Sequence, residues 1–247
     1  MTPAGRRVCH DSVRPVTYAR MDGLPPDALM ADERREIVTY GRRMLDDGLV
    51  VGTSGNVSVR RGDLIAVTPT GVDYRELTAE QVGVFGLDGR RVDGQWPPTS
   101  ELAMHLTAYR VTGAGAVVHT HSSSAVAVST LVDELPSLHY LVGMFGGPVR
   151  VAPYATYGTP ELADNMADAL EDRTGCLLGN HGTITVGDTL GHAYSRAQYL
   201  EWLCDVWLRA RSVGHPRLLD DAEIEKVAEK LATYGPYRVT DARPDPA

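Results

Sequence analysis

Cysteine is scarce in this chain. Its three copies, Cys9, Cys176 and Cys204, are odd in number, far apart and without CxxC spacing. That pattern supplies neither a disulfide framework nor a cysteine-based zinc site, and a reducing cytoplasm is the expected location. Excess positive charge is also missing. Lys and Arg number 24 against 32 Asp and Glu, a net charge of -8, so nucleic acid is not an expected partner. No apolar run reaches the roughly 18–20 residues of a membrane span. The start, Met1-Thr-Pro-Ala-Gly-Arg-Arg7, lacks the apolar core of a secretory signal. Internal repeats and low-complexity linkers are absent too. What remains is ordinary for a globular protein: 247 residues, 43% hydrophobic and 23% charged. The expected organisation is one α/β domain over residues 30–236. It follows a loosely ordered, proline-containing extension at 1–29 and precedes a tail at 237–247.

A helix is expected from about Met30, with Asp32 and Glu33 at its positive end and Gly48 at its stop. Gly52–Arg60, a turn running into a short alternating strand, and a second strand at Leu64–Val67, joined through Arg61-Gly-Asp63, read as a hairpin. Pro97–Glu101 opens a helix to about Val111, with Thr99 or Ser100 as its cap and Gly113 beyond its end. A strand at Ala116–Thr120 leads into a helix over Ser122–Leu131. A strand follows at Val149–Tyr154, and then a helix from Thr159-Pro160-Glu161 to about Arg173. Short strands at Cys176–Leu178 and Thr183–Val186 flank Gly179-Asn-His-Gly182. Long helices at Thr189–Val213 and Asp221–Tyr234 complete the pattern.

Two polar constellations stand out. His119 and His121 are two residues apart at the end of a hydrophobic run, so in a strand both rings face one side. Spacing alone fits either two polar positions on a half-exposed strand or two ligands of one metal ion. His181 lies in a glycine-flanked turn, and glycine allows close approach. Three imidazoles with a carboxylate would form a zinc-like set. Glu101 is the carboxylate candidate, although an acid there also suits a helix dipole. His105, four residues on, shares its helix face as a further ligand or as a support for the glutamate. The histidines in helices or surface segments, His192, His10 and His215, are better read as packed or solvated side chains. The second constellation is rich in hydroxyls: Thr53-Ser-Gly-Asn56, Thr68-Pro-Thr-Gly71 and Pro98-Thr-Ser100. Turns use such residues anyway, but three turns meeting in space would offer backbone N–H groups to an anion.

The motifs GTSGNVSVR, TPTG, PPTSE, VVHTHSSSAVAVS, LHY, GGPVRVAPYATYGT, LLGNHGTITVG and KLATYG, in this order, resemble the class II aldolase family. That family includes L-fuculose-1-phosphate aldolase, rhamnulose-1-phosphate aldolase, L-ribulose-5-phosphate 4-epimerase and the adducin head. The resemblance spans about residues 33–236 and is nearest the fuculose-phosphate aldolase branch. It implies a single-domain three-layer α/β/α sandwich around a mixed, largely antiparallel sheet. It further implies a divalent metal, zinc first and manganese or cobalt as alternatives, on His119, His121 and His181, with Glu101 as fourth ligand and catalytic base. Gly55, Asn56, Thr70, Gly71, Thr99 and Ser100 would hold a substrate phosphate. Tyr140 would act catalytically in a neighbouring subunit's site, and Tyr234 would help line it, in a homotetramer with shared sites. Three positions depart from the family pattern: Thr99 stands for a serine, Asn180 for a histidine and Tyr157 for a phenylalanine.

The implied reaction is reversible cleavage of a ketose 1-phosphate, such as L-fuculose 1-phosphate or a deoxypentulose 1-phosphate, into dihydroxyacetone phosphate and a short aldehyde. Breaking a C–C bond beside a ketone leaves an enediolate, which a Lewis-acidic metal stabilises. A carboxylate then moves the proton at carbon and a phenol serves the aldehyde oxygen. Apart from Lys230 at the start of KLATYG, these motifs contain no lysine, which disfavours Schiff-base chemistry. The alternatives are the 4-epimerase, which has Asp where Glu101 stands, a methylthioribulose-1-phosphate dehydratase, and a non-enzymatic adducin-like scaffold.

Overall fold

The structure, a computed structural model, describes residues 24, 25 and 27–233. Its helices are α1 (Ala31–Asp46), α2 (Leu102–Thr112), α3 (Ser123–Ser129), α4 (Pro160–Leu170), α5 (Leu190–Val213) and α6 (Asp221–Thr233). The strands are β1 (Asn56–Arg61), β2 (Leu64–Val67), β3 (Gly83–Gly86), β4 (Arg91–Asp93), β5 (Ala116–Thr120), β6 (Glu134–Leu135), β7 (Val149–Ala152), β8 (Gly175–Leu178) and β9 (Gly182–Gly187). They form one nine-stranded sheet in the order β4-β3-β2-β1-β5-β9-β8-β7-β6. Every pairing is antiparallel except β7 with β8. This is the mixed, largely antiparallel α/β architecture expected from the sequence.

Alternation along the strands builds a core on each face. Val57, Val59, Ala116 and Val118 turn to one side and pack under α1 and α5, through Ile37, Met44, Ala193, Tyr194 and Ala197. Val117, Ile184 and Val186 turn to the other side, against α2 and α4, through Met104, Ala108, Leu162 and Met166. Burying each such Val, Leu, Ile or Met side chain stabilises the fold by about 1.5–3 kcal/mol, so both helical layers are anchored to the sheet. By the same alternation, Asn56 and Ser58 on β1 and His119 on β5 face the α2 side.

Several boundaries differ from the sequence expectation. Packing begins ahead of residue 30: Leu24 is buried, Ala28 and Leu29 lie against the α1 core, and the Arg35 guanidinium donates to the Leu24 carbonyl. Neither Thr99 nor Ser100 caps α2. Its first residue follows Glu101, and no side chain caps it. Thr99 is instead held by its N–H on the Thr68 carbonyl, while its hydroxyl accepts from the Glu101 N–H. β7 ends at Ala152 because Pro153 has no N–H to continue the ladder. α4 ends at Leu170, and Asp172 takes a left-handed conformation (φ 55°) ahead of β8. Three strands were not foreseen, β3, β4 and β6. They are short, glycine-bounded or exposed, and so carry little alternation. A 3-10 helix at Tyr140–Phe145, capped by His139, was also not foreseen.

Candidate metal centre and anion cleft

Glu101, His119, His121 and His181 converge on one point, with one ligand atom from each lying within 4.8 Å of the others. The sheet does most of the positioning. His119 is the fourth residue of β5, paired with Asn56 on one side and Ile184 on the other. His121 is one residue beyond the strand, with its N–H on the Leu49 carbonyl. His181 arrives from the β8–β9 turn, where Asn180 is left-handed (φ 54°) and its N–H donates to the Ser129 hydroxyl. Gly182 makes this approach possible. A Cβ there would lie 2.1 Å from the Thr120 carbonyl oxygen, so any larger residue would push β9 and its histidine away from β5.

The distances suit a cation. His119 and His121 bring their Nε2 atoms to 2.8 Å of each other. Glu101 Oε2 is 3.1 Å from His119 Nε2, and Oε1 is 3.4 Å from His181 Nε2. A tetrahedral ion with bonds of about 2.0–2.2 Å separates its ligands by about 3.3–3.6 Å; the His181–Glu101 distance falls in that range, and the other two are shorter by 0.5 Å or less. His119 Nδ1 donates to the Thr183 carbonyl at 2.7 Å, which leaves Nε2 directed at the cluster. Glu101 Oε1 is buried with no hydrogen-bond partner among the described residues. Two imidazole nitrogens face to face and an orphaned carboxylate oxygen are costly to bury unless a positive charge sits among them.

The protonation pattern agrees with this. Burial pushes Glu101 up, but the charge and hydrogen bond of His119, the Asn56 amide and His181 more than reverse it and hold the carboxyl well below the usual range. Burial and the neighbouring His119 charge lower His121 to about 3 and His181 to about 4. His119 is the exception: burial lowers it, yet Glu101 and the Thr183 carbonyl leave it raised. At neutral pH the cluster is therefore a carboxylate with at least two neutral imidazoles, the donor set a zinc-like ion takes.

Beside the cluster lies a cleft of about 350 Å³ lined by residues of all three hydroxyl-rich turns. Gly55, Asn56, Thr70, Gly71, Thr99, Ser100, Glu101, His121 and His181 all border it, as do Tyr154, Tyr157 and Asn180. The turns meet because Pro69 pairs with Pro98 in a single antiparallel bridge and the Thr70 N–H donates to the Pro97 carbonyl. Gly55 is required twice over. Its φ is 74°, and a Cβ there would lie 2.6 Å from Val50 and 2.8 Å from the His119 carbonyl oxygen.

Residues 35–208 match the family described as Class II Aldolase and Adducin N-terminal domain. The chain belongs to this family. It is 40% identical over 210 residues to a 5-deoxy-D-ribulose 1-phosphate aldolase of Bacillus thuringiensis serovar kurstaki, covering 84% of this chain and 99% of the relative. To an L-fuculose phosphate aldolase of Escherichia coli (strain K12) it is 39% identical over 204 residues, with 81% and 94% covered. A solved structure of an L-fuculose 1-phosphate aldolase superposes with a TM-score of 0.79 at 37% identity, covering 81% of this chain and 96% of that one.

Within this class II aldolase frame, three expected site residues behave differently from the rest. Asn56 borders the cleft, but its side chain is engaged: Nδ2 donates to Glu101 Oε2 at 2.8 Å and Oδ1 accepts from His105. Tyr140 is not among the residues bordering the cleft. It starts the 3-10 helix, half exposed, with its ring 4.4 Å from that of His139. Tyr234 lies outside the described residues, as do Cys9, His10 and the tail from 237. Ser58, Tyr74, Tyr109 and Ser129 were not singled out from the sequence, yet each touches the site's supports. Tyr74 donates to the Gly55 carbonyl, and Ser58 bridges His105 and Tyr109. A signal for one of them was present: Tyr109 continues the four-residue spacing of Glu101 and His105 on one helix face.

Proposed function

We propose that this class II aldolase family member is a metal-dependent aldolase that reversibly cleaves a ketose 1-phosphate to dihydroxyacetone phosphate and a short aldehyde. L-Fuculose 1-phosphate or a 5-deoxypentulose 1-phosphate is the proposed substrate type. The observation that carries this reading is the convergence of Glu101 and three histidines at the edge of a cleft lined by three hydroxyl-rich turns. The names of the two relatives, both aldolases of ketose 1-phosphates or related sugar phosphates, support it.

His119, His121 and His181, with Glu101, would hold the ion, zinc first. Once bound, it supplies Lewis-acid stabilisation of charge developing on substrate oxygen. The turn residues Gly55, Thr70, Gly71, Thr99 and Ser100, with Asn56, bind the phosphate as a remote handle that positions the reacting carbons. Glu101 moves the proton at carbon. Its carboxylate remains ionised at neutral pH because its surroundings hold it below the usual range. Tyr140 and Tyr234 belong to a site shared between subunits of a homotetramer, with Tyr140 exchanging the proton of the aldehyde oxygen.

A panel of ketose 1-phosphates tests the reading by coupled detection of dihydroxyacetone phosphate. Wild type is expected to release it together with a free aldehyde, and Glu101→Gln is expected to be far slower. A C4-epimer or a dehydrated product without aldehyde would show the epimerase or dehydratase alternative to be the correct one. No turnover with any phosphate would favour a scaffold.

A further inference from the structure

A line of buried polar side chains runs from the Glu101 carboxylate into the layer between α2 and the sheet. Asn56 Nδ2 donates to Glu101 Oε2 at 2.8 Å. Asn56 Oδ1 meets His105 Nε2. His105 Nδ1 is 2.6 Å from the Ser58 hydroxyl, which is 2.7 Å from the Tyr109 hydroxyl. Ser58 and His105 are fully buried, and Asn56 and Tyr109 nearly so.

The directions of these bonds follow from one end. An ionised carboxylate can only accept, so Asn56 must present its NH2 group to Glu101 and its carbonyl to His105. His105 must then carry its proton on Nε2 and accept at Nδ1. Ser58 therefore donates to His105, and Tyr109 donates to Ser58. Every donor in the line points toward Glu101. Burial supports this single tautomer by keeping the His105 ring neutral, lowered to about 3. Reversing the Asn56 amide would set its carbonyl against the carboxylate and its NH2 against an N–H, two unfavourable contacts in a site with little water to relieve them.

We infer that His105, backed by Ser58 and Tyr109, is a positioning residue that fixes the Asn56 amide and thereby holds one oxygen of Glu101 while leaving the other to face His181 and the cleft. The inference rests on the reading of Glu101 as a site carboxylate and goes beyond it in assigning work to residues that touch neither the cleft nor the histidine cluster. It predicts graded effects along the line. Groups supporting a ligand or base from behind usually cost about 10–100-fold in metal affinity or activity when removed.

The test compares His105→Phe, His105→Gln, Ser58→Ala and Tyr109→Phe by two readouts: zinc affinity by competition with a chromophoric chelator, and kcat and KM for the ketose 1-phosphate that wild type cleaves. His105→Phe is expected to weaken zinc binding about tenfold or more and to lower kcat about 10–100-fold, with KM within about twofold of wild type. His105→Gln should recover most of both losses, because its amide can place an N–H near the ring Nε2 position. Ser58→Ala and Tyr109→Phe should give progressively smaller losses. If His105→Phe fails to fold, His105→Gln and Ser58→Ala carry the comparison. Unchanged zinc affinity and kcat in folded His105→Phe, or equal loss in the Phe and Gln variants, would overturn the inference. If wild type cleaves no ketose 1-phosphate, the functional reading fails, and the zinc series still decides the positioning role.

Discussion

Glu101 and Tyr157 border the same cleft, the first 5% exposed and the second 66%. The difference extends to their neighbours. On the histidine side, His119 is wholly buried, its outer nitrogen bonded to the Thr183 carbonyl, and Glu101 is held by Asn56. On the open side, Tyr154 is 61% exposed, and Tyr140, away from the cleft, is 48% exposed. A single chain thus finishes the candidate ion pole in detail and leaves Tyr140, Tyr154 and Tyr157 exposed. Precision of placement needs over-determined packing, and the exposed rings lack it until something covers them. A second copy of the chain is the cover that the proposed shared site requires.

Removing the finished pole should have the largest effect. His119→Ala takes away the ligand whose ring is fixed on both sides, so activity is expected to fall to assay background. Bound zinc, measured by elemental analysis, should fall with it. Full metal content in an inactive His119→Ala would mean that the other three residues suffice to hold the ion and would weaken the contrast.

Removing the open pole should be nearly as severe but of a different kind. Tyr140→Phe is expected to lose about 10²–10⁴-fold in kcat, the usual contribution of a general acid or base, while retaining its zinc. Co-refolding it with His119→Ala should restore activity, because about one site in four then combines an intact ion pole with an intact tyrosine. Mixed oligomers that stay inactive would place Tyr140 in its own chain's chemistry or outside it.

The anion turns border the same cleft as the histidine cluster, and their loss should be milder. Ser100→Ala is expected to cost about 1.5–3 kcal/mol of substrate binding, the worth of a hydrogen bond to a charged group, with zinc affinity unchanged. Equal kcat/KM for a ketose and its 1-phosphate in wild type would remove the anion site altogether.

The smallest expected effect is on stability. His105 and His121 are lowered to about 3 and His181 to about 4, all below the ordinary 6.5. The unfolded chain therefore binds protons more readily, and stability present above about pH 6.5 is lost as pH falls toward 3–4. His119, raised, works the other way: its share is present below pH 6.5 and lost as pH rises. Three groups outweigh one. Denaturant melts of metal-free protein should show a loss on the order of 1 kcal/mol between pH 7.5 and 6.0. A flat profile would mean that the buried histidines are solvated, and the finished pole looser than its contacts imply.

Much of this was legible in the chain itself. The hydrophobic run that opens Ala116–Thr120, the Thr159-Pro160 helix start and the glycines around His181 depend on local sterics and capping, which neighbouring residues dictate. The motif set carried the family, and with it the expectation of an α/β sandwich. Strands β3, β4 and β6 were not legible. Two to four residues with little alternation become strands only when a partner edge is already in place.

The amino-acid sequence by itself determined which residues could serve as ligands, which turns could present N–H groups to an anion, and that no lysine stands ready in those motifs for Schiff-base chemistry. Only the tertiary structure decided that Asn56 turns its amide to Glu101 and His105 rather than standing free in the cleft, that Tyr109 and Ser58 stand behind them, and that Glu101 keeps one oxygen without a hydrogen-bond partner among the described residues. The physical reason is the direction of side chains between elements. Spacing along one helix or strand says which residues share a face. What that face meets depends on the register of β1 against β5 and on α2 lying across both, and these long-range pairings are set by the burial of the whole core.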